Sequence, residues 1–188
     1  VGTPGVAAVS PDKMNVLYYG IDNPITIGSP VGWDKTSISM TGGTISGSGP
    51  SRTIRTSTAT GKAIVKVTTD KGSKDFEFRC FPIPPPKFKV ADGKVRMPAV
   101  IFKSQTACRA DLENFYFDLR YTVVSATVYF SGANFPSVKI GNLTGSSLEG
   151  LKNYISQCGP GSVITFDNIK VSGPDGQRTI DAVSIALY

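Results

Sequence analysis

Phe76-Glu77-Phe78-Arg79-Cys80-Phe81-Pro82-Ile83-Pro84-Pro85-Pro86-Lys87 holds both parts of the architectural argument. Phe76, Phe78 and Cys80 alternate with Glu77 and Arg79, and a period of two puts one face in a core and the other in water, which is a β-strand. Four prolines then fall within residues 82–86. Such a run can neither donate to a β ladder nor enter a helix, so it reads as a stiff, extended linker. A boundary there divides the 188 residues into 1–83 and 84–188, both of small-domain size. The competing reading keeps the prolines as an edge strand or loop insertion in one larger sandwich.

Working outward, the same alternation recurs in Ala63-Ile64-Val65-Lys66-Val67-Thr68 and Ser37-Ile38-Ser39-Met40, and short apolar runs occur at residues 7–13, Asn15 to Tyr19 and Ile25 to Ile27. Asp, Asn, Gly and Pro separate them, residues that accept turn geometry or close local hydrogen bonds. Thr41-Gly42-Gly43 and Gly47-Ser48-Gly49-Pro50 read as Gly/Ser-rich loops; no Gly-Lys-Ser/Thr follows them, so they do not read as a phosphate cradle. In the second part, strands are expected over Leu112 to Tyr121, Thr122 to Phe130, Val163 to Val171 and Val183 to Tyr188, with Gly173-Pro174-Asp175-Gly176 as a tight turn between the last two. Ser146-Ser147-Leu148-Glu149 matches a capping box, and Leu148, Leu151, Tyr154, Ile155 and Cys158 follow at helical spacing before Gly159-Pro160-Gly161, which predicts one short helix. The class expected is mainly all-β: two β-sandwich domains in tandem, the second with one short helix.

Composition narrows function. The net charge of +6 divides evenly, with 9 basic and 6 acidic residues before Pro84 and 11 basic and 8 acidic after it. No run of five like charges exists, which argues against a nucleic-acid or membrane-surface partner. There is no His, so the commonest general base and metal ligand is missing and a Ser-His-Asp triad is excluded. The carboxylates Asp111 with Glu113, and Asp118 with Asp167, could pair for glycosidase chemistry, but all sit where solvated positions are expected. Asp12, Asp22, Asp34, Asp175 and Asp181 lack the spacing of a calcium loop. Asn142-Leu143-Thr144 is formally a glycosylation sequon and otherwise a turn. No catalytic residue, metal or cofactor is expected.

The three cysteines show no Cys-x-x-Cys spacing. Cys108 and Cys158 fall in one proposed domain and could pair in an oxidising compartment; three buried small hydrophobes is the equal alternative. Phe115, Tyr116 and Phe117 are consecutive, so a strand there would carry apolar groups on both faces, as in a twice-covered strand or an association surface. A strand over Ser184 to Tyr188 has to sit inside a sheet or pair with another chain. The chain opens at Val1 without an initiator Met, which reads as a piece of a longer protein whose signal or anchor lies elsewhere.

Val9-Ser10-Pro11-Asp12-Lys13-Met14-Asn15-Val16-Leu17-Tyr18, then Gly20-Ile21-Asp22-Asn23-Pro24-Ile25, resembles the opening of the penultimate domain of the GldM/PorM family. The proline joint is similar to that family's joint, and Phe115-Tyr116-Phe117-Asp118, Val163 to Lys170 and Gly173-Pro174-Asp175-Gly176 resemble its last domain. The resemblance implies immunoglobulin-like domains in the periplasmic shaft of a homodimer, held in the inner membrane by an N-terminal helix absent from this sequence. It implies a GldL/PorL-type motor protein as one partner and ring proteins of the GldK/PorK and GldN/PorN type as the others, in type IX secretion and gliding. A surface adhesin or glycan-binding tandem is the alternative. For partner contacts, Asn134, Phe135, Asn142, Leu143, Asp175 and Gly176 are singled out as loops at the far end of the second domain, with plain turn structure as the competing account.

Overall fold

The computed structural model describes residues 8–11 and 15–188. The chain forms two compact units, Val1–Ile83 and Pro84–Tyr188. The residues before Ala8 and residues 12–14, Asp12 among them, lie outside the described residues.

Unit 1 is a sandwich of two four-stranded sheets. One contains β1 (Ala8–Pro11), and the other β2 (Val16–Tyr18). Next come β3 (Asn23–Gly28), β4 (Ser37–Thr41), β5 (Gly43–Ser48), β6 (Ser51–Thr56), β7 (Gly61–Thr69) and β8 (Gly72–Phe81). The orders are β1-β3-β6-β5 and β2-β8-β7-β4, antiparallel except for β2 beside β8. Alternation works as expected: Ala63, Val65 and Val67 are buried while Lys62, Lys66 and Thr68 are exposed. They meet Ile25, Ile27 and Ile54 of the facing sheet, and each such side chain fully buried stabilises by about 1.5–3 kcal/mol.

Of the Gly/Ser-rich stretches expected to be loops, Gly42 and Gly49-Pro50 do turn the chain, while Gly43, Gly47 and Ser48 lie in strand β5 of the hairpin β5–β6, because glycine admits a neighbouring backbone. A Cβ on Gly43 would stand 2.4 Å from the Arg55 carbonyl oxygen, and Gly47 has a φ of +101°.

Unit 2 carries a six-stranded sheet faced by a two-stranded ribbon. The ribbon is β9 (Lys87–Val90) with β11 (Cys108–Asp111). The sheet comprises β10 (Arg96–Met97), β12 (Thr122–Gly132), β13 (Lys139–Thr144), β14 (Ser162–Gly173), β15 (Gly176–Ile180) and β16 (Val183–Leu187). Its order is β10-β16-β14-β12-β13, with β15 also on β14. Val128, Phe130, Ile164 and Phe166 form the inner face, and the Phe88 ring meets Phe166 at 4.6 Å, joining ribbon to sheet. β16 lies inside the sheet, between β10 and β14. The chain is mainly β, in two units each built of facing sheets.

Four expectations need correction. Residues 112–120 are irregular rather than a strand: Asn114 takes a φ of +53°, and Leu119 N–H closes on the Phe117 carbonyl at 3.1 Å. Phe115 and Phe117 face each other at 5.8 Å within that loop. The Gly173 to Gly176 turn joins β14 to β15, a strand absent from the sequence reading. The capping box does not form: Glu149 N–H donates to Ser147 Oγ at 3.3 Å rather than to Ser146, and a 3-10 turn at Glu149–Leu151 leads into helix α2, Lys152–Gln157. A further helix, α1 (Ala99–Lys103), starts where Pro98 offers its carbonyl to Ile101 and Phe102; labelled in chain order, it precedes α2.

Phe130 is fully buried between the rings of Phe135 at 5.7 Å and Tyr154 at 5.3 Å. Phe130→Ala is expected to cost about 3–5 kcal/mol in urea unfolding followed by fluorescence. A loss under about 1 kcal/mol would mean that this core collapses around the gap.

Candidate functional site

The six residues singled out for partner contact do not form one patch. β12 and β14 run antiparallel, with Gly132 opposite Ser162 and Thr122 opposite Ser172. Asn134 and Phe135 follow one end of β12, whereas Asp175 and Gly176 lie past Ser172 at the other, and eleven strand residues span roughly 35 Å. Asn142 and Leu143 sit in β13, where Asn142 pairs with Thr127, so the sequon is strand rather than turn.

The first group is structural. Asn134 adopts a φ of +71° and donates its amide to the Gln157 carbonyl at 3.0 Å, which ties the β12–β13 turn to the end of α2. Phe135 is 7% exposed against Phe130, and Leu143 is 2% exposed, so both side chains belong to the core. They contribute to a surface only through the backbone they position.

Asp175 anchors a polar cluster. Tyr121 Oη donates to Asp175 Oδ1 at 2.8 Å, and Arg178 Nη1 meets Asp175 Oδ2 at 3.0 Å and the Pro84 carbonyl at 3.4 Å. The Tyr121 ring lies on the bare backbone of Gly173, where a Cβ would stand 2.4 Å away. Burial, and then the neighbouring carboxylate, push the Tyr121 phenol up to about 12.

Of the carboxylates considered for catalysis, Asp111 and Glu113 are held as partners of cations. Glu113 takes Lys89 at 2.8 Å and Lys87 at 3.1 Å, and Asp111 takes Arg109 at 2.8 Å, a ladder along the β9–β11 ribbon. The hydrogen bond from Lys89, then that from Lys87, holds the Glu113 carboxyl below its ordinary range, the reverse of what a general acid requires. Asp167 accepts the amide of Asn168 at 2.8 Å, and Asp118 stands in the loop before β12. Asp22 pairs with Arg55 at 2.9 Å. Among the described residues no group of three or more His, Cys, Asp or Glu side chains is placed to hold a metal ion.

One exposed apolar surface was missed. β13 is an edge strand, and Val138 and Ile140 are 56% and 60% exposed there. Ile140 pairs with Tyr129, which pairs with Thr165 and that with Ser184, so the row across the outer face is uncharged. The signal was in the sequence as Val138 and Ile140 two apart beside Asn142.

Comparison with protein families decides the relationship. The family model described as GldM third domain matches residues 6–80, and that described as GldM C-terminal domain matches 82–188. The chain belongs to the GldM family. With that membership goes a structural part in gliding motility and type IX secretion, among the partners of that machinery. No curated protein matches. Among solved structures, titin Z1Z2 in complex with telethonin is 14% identical with a TM-score of 0.30, covering 92% of this chain and 91% of that one. Titin A168169 is 12% identical with a TM-score of 0.29, covering 92% of each chain. InvD of Yersinia pseudotuberculosis is 8% identical with a TM-score of 0.26, covering 97% of this chain and 69% of that one. No argument is drawn from likenesses this low.

In this GldM-family chain the Cys108–Cys158 disulfide is not formed. All three cysteines are free and buried, and the two thiols point to different carbonyls, Cys108 to Ser146 and Cys158 to Tyr154, each at 3.5 Å. Burial pushes both up to about 11, from 9.0. Because the folded state keeps its protons where the unfolded chain loses them, these thiols contribute stability that is whole below about pH 9 and lost as the pH rises toward about 11. The expected outcome is that an alkylating reagent leaves all three thiols unmodified at pH 8 in the native protein and labels them in urea, read by mass spectrometry. Rapid native labelling would contradict the burial.

Proposed function

We propose that this chain is a non-enzymatic, periplasmic module of a homodimeric shaft that relays displacement in the gliding and type IX secretion motor. In this reading the driving protein is of the GldL/PorL type in the inner membrane, reached through an N-terminal part of the shaft. The receiving partners are ring proteins of the GldK/PorK and GldN/PorN type beneath the outer membrane. The two units act as separate sandwich domains, 1–83 and 84–188, joined by the proline stretch.

The observation that carries the protein-binding reading is the β13 edge. Exposed strand edges offer unpaired backbone groups to another chain, and proteins that do not use them usually protect them with charge or proline. β13 keeps Ile140 in solvent beside Asn142, with Val138 exposed just before it and Lys139 as its one charge. Of the residues singled out from sequence, Asn142 is the one whose side chain this surface keeps available. Antiparallel ladders suit a load-bearing part, because alternate residue pairs along β12 and β14 exchange backbone hydrogen bonds over most of the strand length.

Two measurements test the reading. Light scattering with size exclusion is expected to give a dimer mass that does not fall on dilution, and a monomer would remove self-association from this part of the shaft. Ile140→Glu is expected to weaken capture of a purified ring protein about tenfold or more while changing stability by under about 0.5 kcal/mol. Undiminished capture would clear β13 of the role.

A further inference from the structure

A proline stretch has few N–H groups, so the elements around it can hold it only through its carbonyls and its side chains. Pro84, the first residue of unit 2, receives Arg178 on its carbonyl at 3.4 Å. Arg178 is steadied from the other side by Asp175 Oδ2 at 3.0 Å, and Asp175 by the Tyr121 hydroxyl at 2.8 Å. The side chains of Asp175 and Arg178 are only 11% and 25% exposed, unlike those of the other ion pairs in unit 2, which lie further into solvent on at least one side. Guanidinium suits the position, since the two N–H groups of Nη1 lie at fixed angles in one plane and can serve a carboxylate and a carbonyl together. The Tyr121 ring cannot shift toward β14 because it already rests on Gly173.

We propose that Tyr121, Asp175 and Arg178 form a latch that fixes the path by which the proline joint leaves unit 2. The three residues come from the start of β12, the β14–β15 turn and β15, so the latch fastens the joint to the strand that carries the centre of the sheet. A displacement arriving along the joint then enters β14 and β15 directly. That mechanical use rests on the shaft reading above; the latch itself does not.

The test is a pair of nitroxides at Thr68→Cys and Thr144→Cys, both exposed strand positions, with distance distributions recorded by double electron–electron resonance. The wild-type background is expected to give a narrow distribution and Arg178→Leu one roughly twofold broader, with Arg178→Lys in between. A control, Glu149→Gln, removes an exposed pair and is expected to change nothing. Unchanged width in folded Arg178→Leu overturns the latch. Should that variant fail to fold, Tyr121→Phe keeps the ring and deletes only the hydroxyl, and it must broaden the distribution by itself or the latch is overturned. Broadening without loss of secretion or gliding in cells would keep the latch and sink its mechanical use.

Discussion

The antiparallel pairing of β12 with β14 is the constraint on which unit 2 depends. β13 attaches to β12, and β15 and β16 attach to β14, so every strand of the large sheet except β10 is placed by this one register. A slip of one residue would turn the inward set of one strand, either Val128 and Phe130 or Ile164 and Phe166, out to water while the other stayed in the core. The pair absorbs two register shifts, between Val123 and Ser125 and between Ser125 and Thr127. Phe166 and Ile169 both face inward although three positions apart, because Asp167 and Asn168 are both left outside and Asn168 takes a φ of +48°. Asparagine tolerates that conformation better than a branched residue would.

That register also explains why binding residues guessed from turn chemistry scatter. Turn residues accumulate at both ends of an antiparallel sheet, and sequence order does not say which end. Asn134 and Asp175 look equivalent as loop residues, yet one secures α2 at the Ser162 end and the other secures Tyr121 at the Ser172 end. At the Ser162 end the hydroxyl of Ser162, fully buried, accepts Gly159 N–H and donates to the Ala133 carbonyl, so that turn is filled by its own polar groups. The surface left open is the flank, where β13 ends the sheet.

Strands with strict alternation were legible because one face is core and the other water; β7 and β8 show this residue by residue. β5 and β6 were hidden because glycine, which marks loops, also permits close backbone approach, and Gly43 serves the second purpose. Residues 112–120 misled in the opposite direction: Phe115 and Phe117 carry strand-like composition, but Asn114 turns the chain before a ladder can form. The capping box gave way to its neighbour, since Ser147 rather than Ser146 takes the Glu149 N–H, while the Ser146 carbonyl is paired with Cys108 from 38 residues away. The unpaired thiols illustrate the same limit, because spacing along the chain says nothing of where two sulfurs point. The family phrases succeeded where composition could not, as they record such tertiary requirements at fixed positions.

One such requirement is Asn23, 2% exposed. Its side chain accepts Tyr18 N–H at 2.8 Å and donates to the carbonyls of Tyr18 at 2.9 Å, Ile21 at 3.2 Å and Ile54 at 3.1 Å. Tyr18 pairs with Phe81, so this amide couples the end of β8, just before the prolines, to β6 of the opposite sheet. Tyr121, Asp175 and Arg178 take a corresponding place within the proline stretch, at Pro84. Apolar contact is non-directional and tolerates small rotations of a chain segment, whereas a buried amide or carboxylate with its partners set at fixed distances does not. Asn23 and Arg178 are directional contacts of this kind, each inside its own unit, set beside the apolar packing that closes that unit.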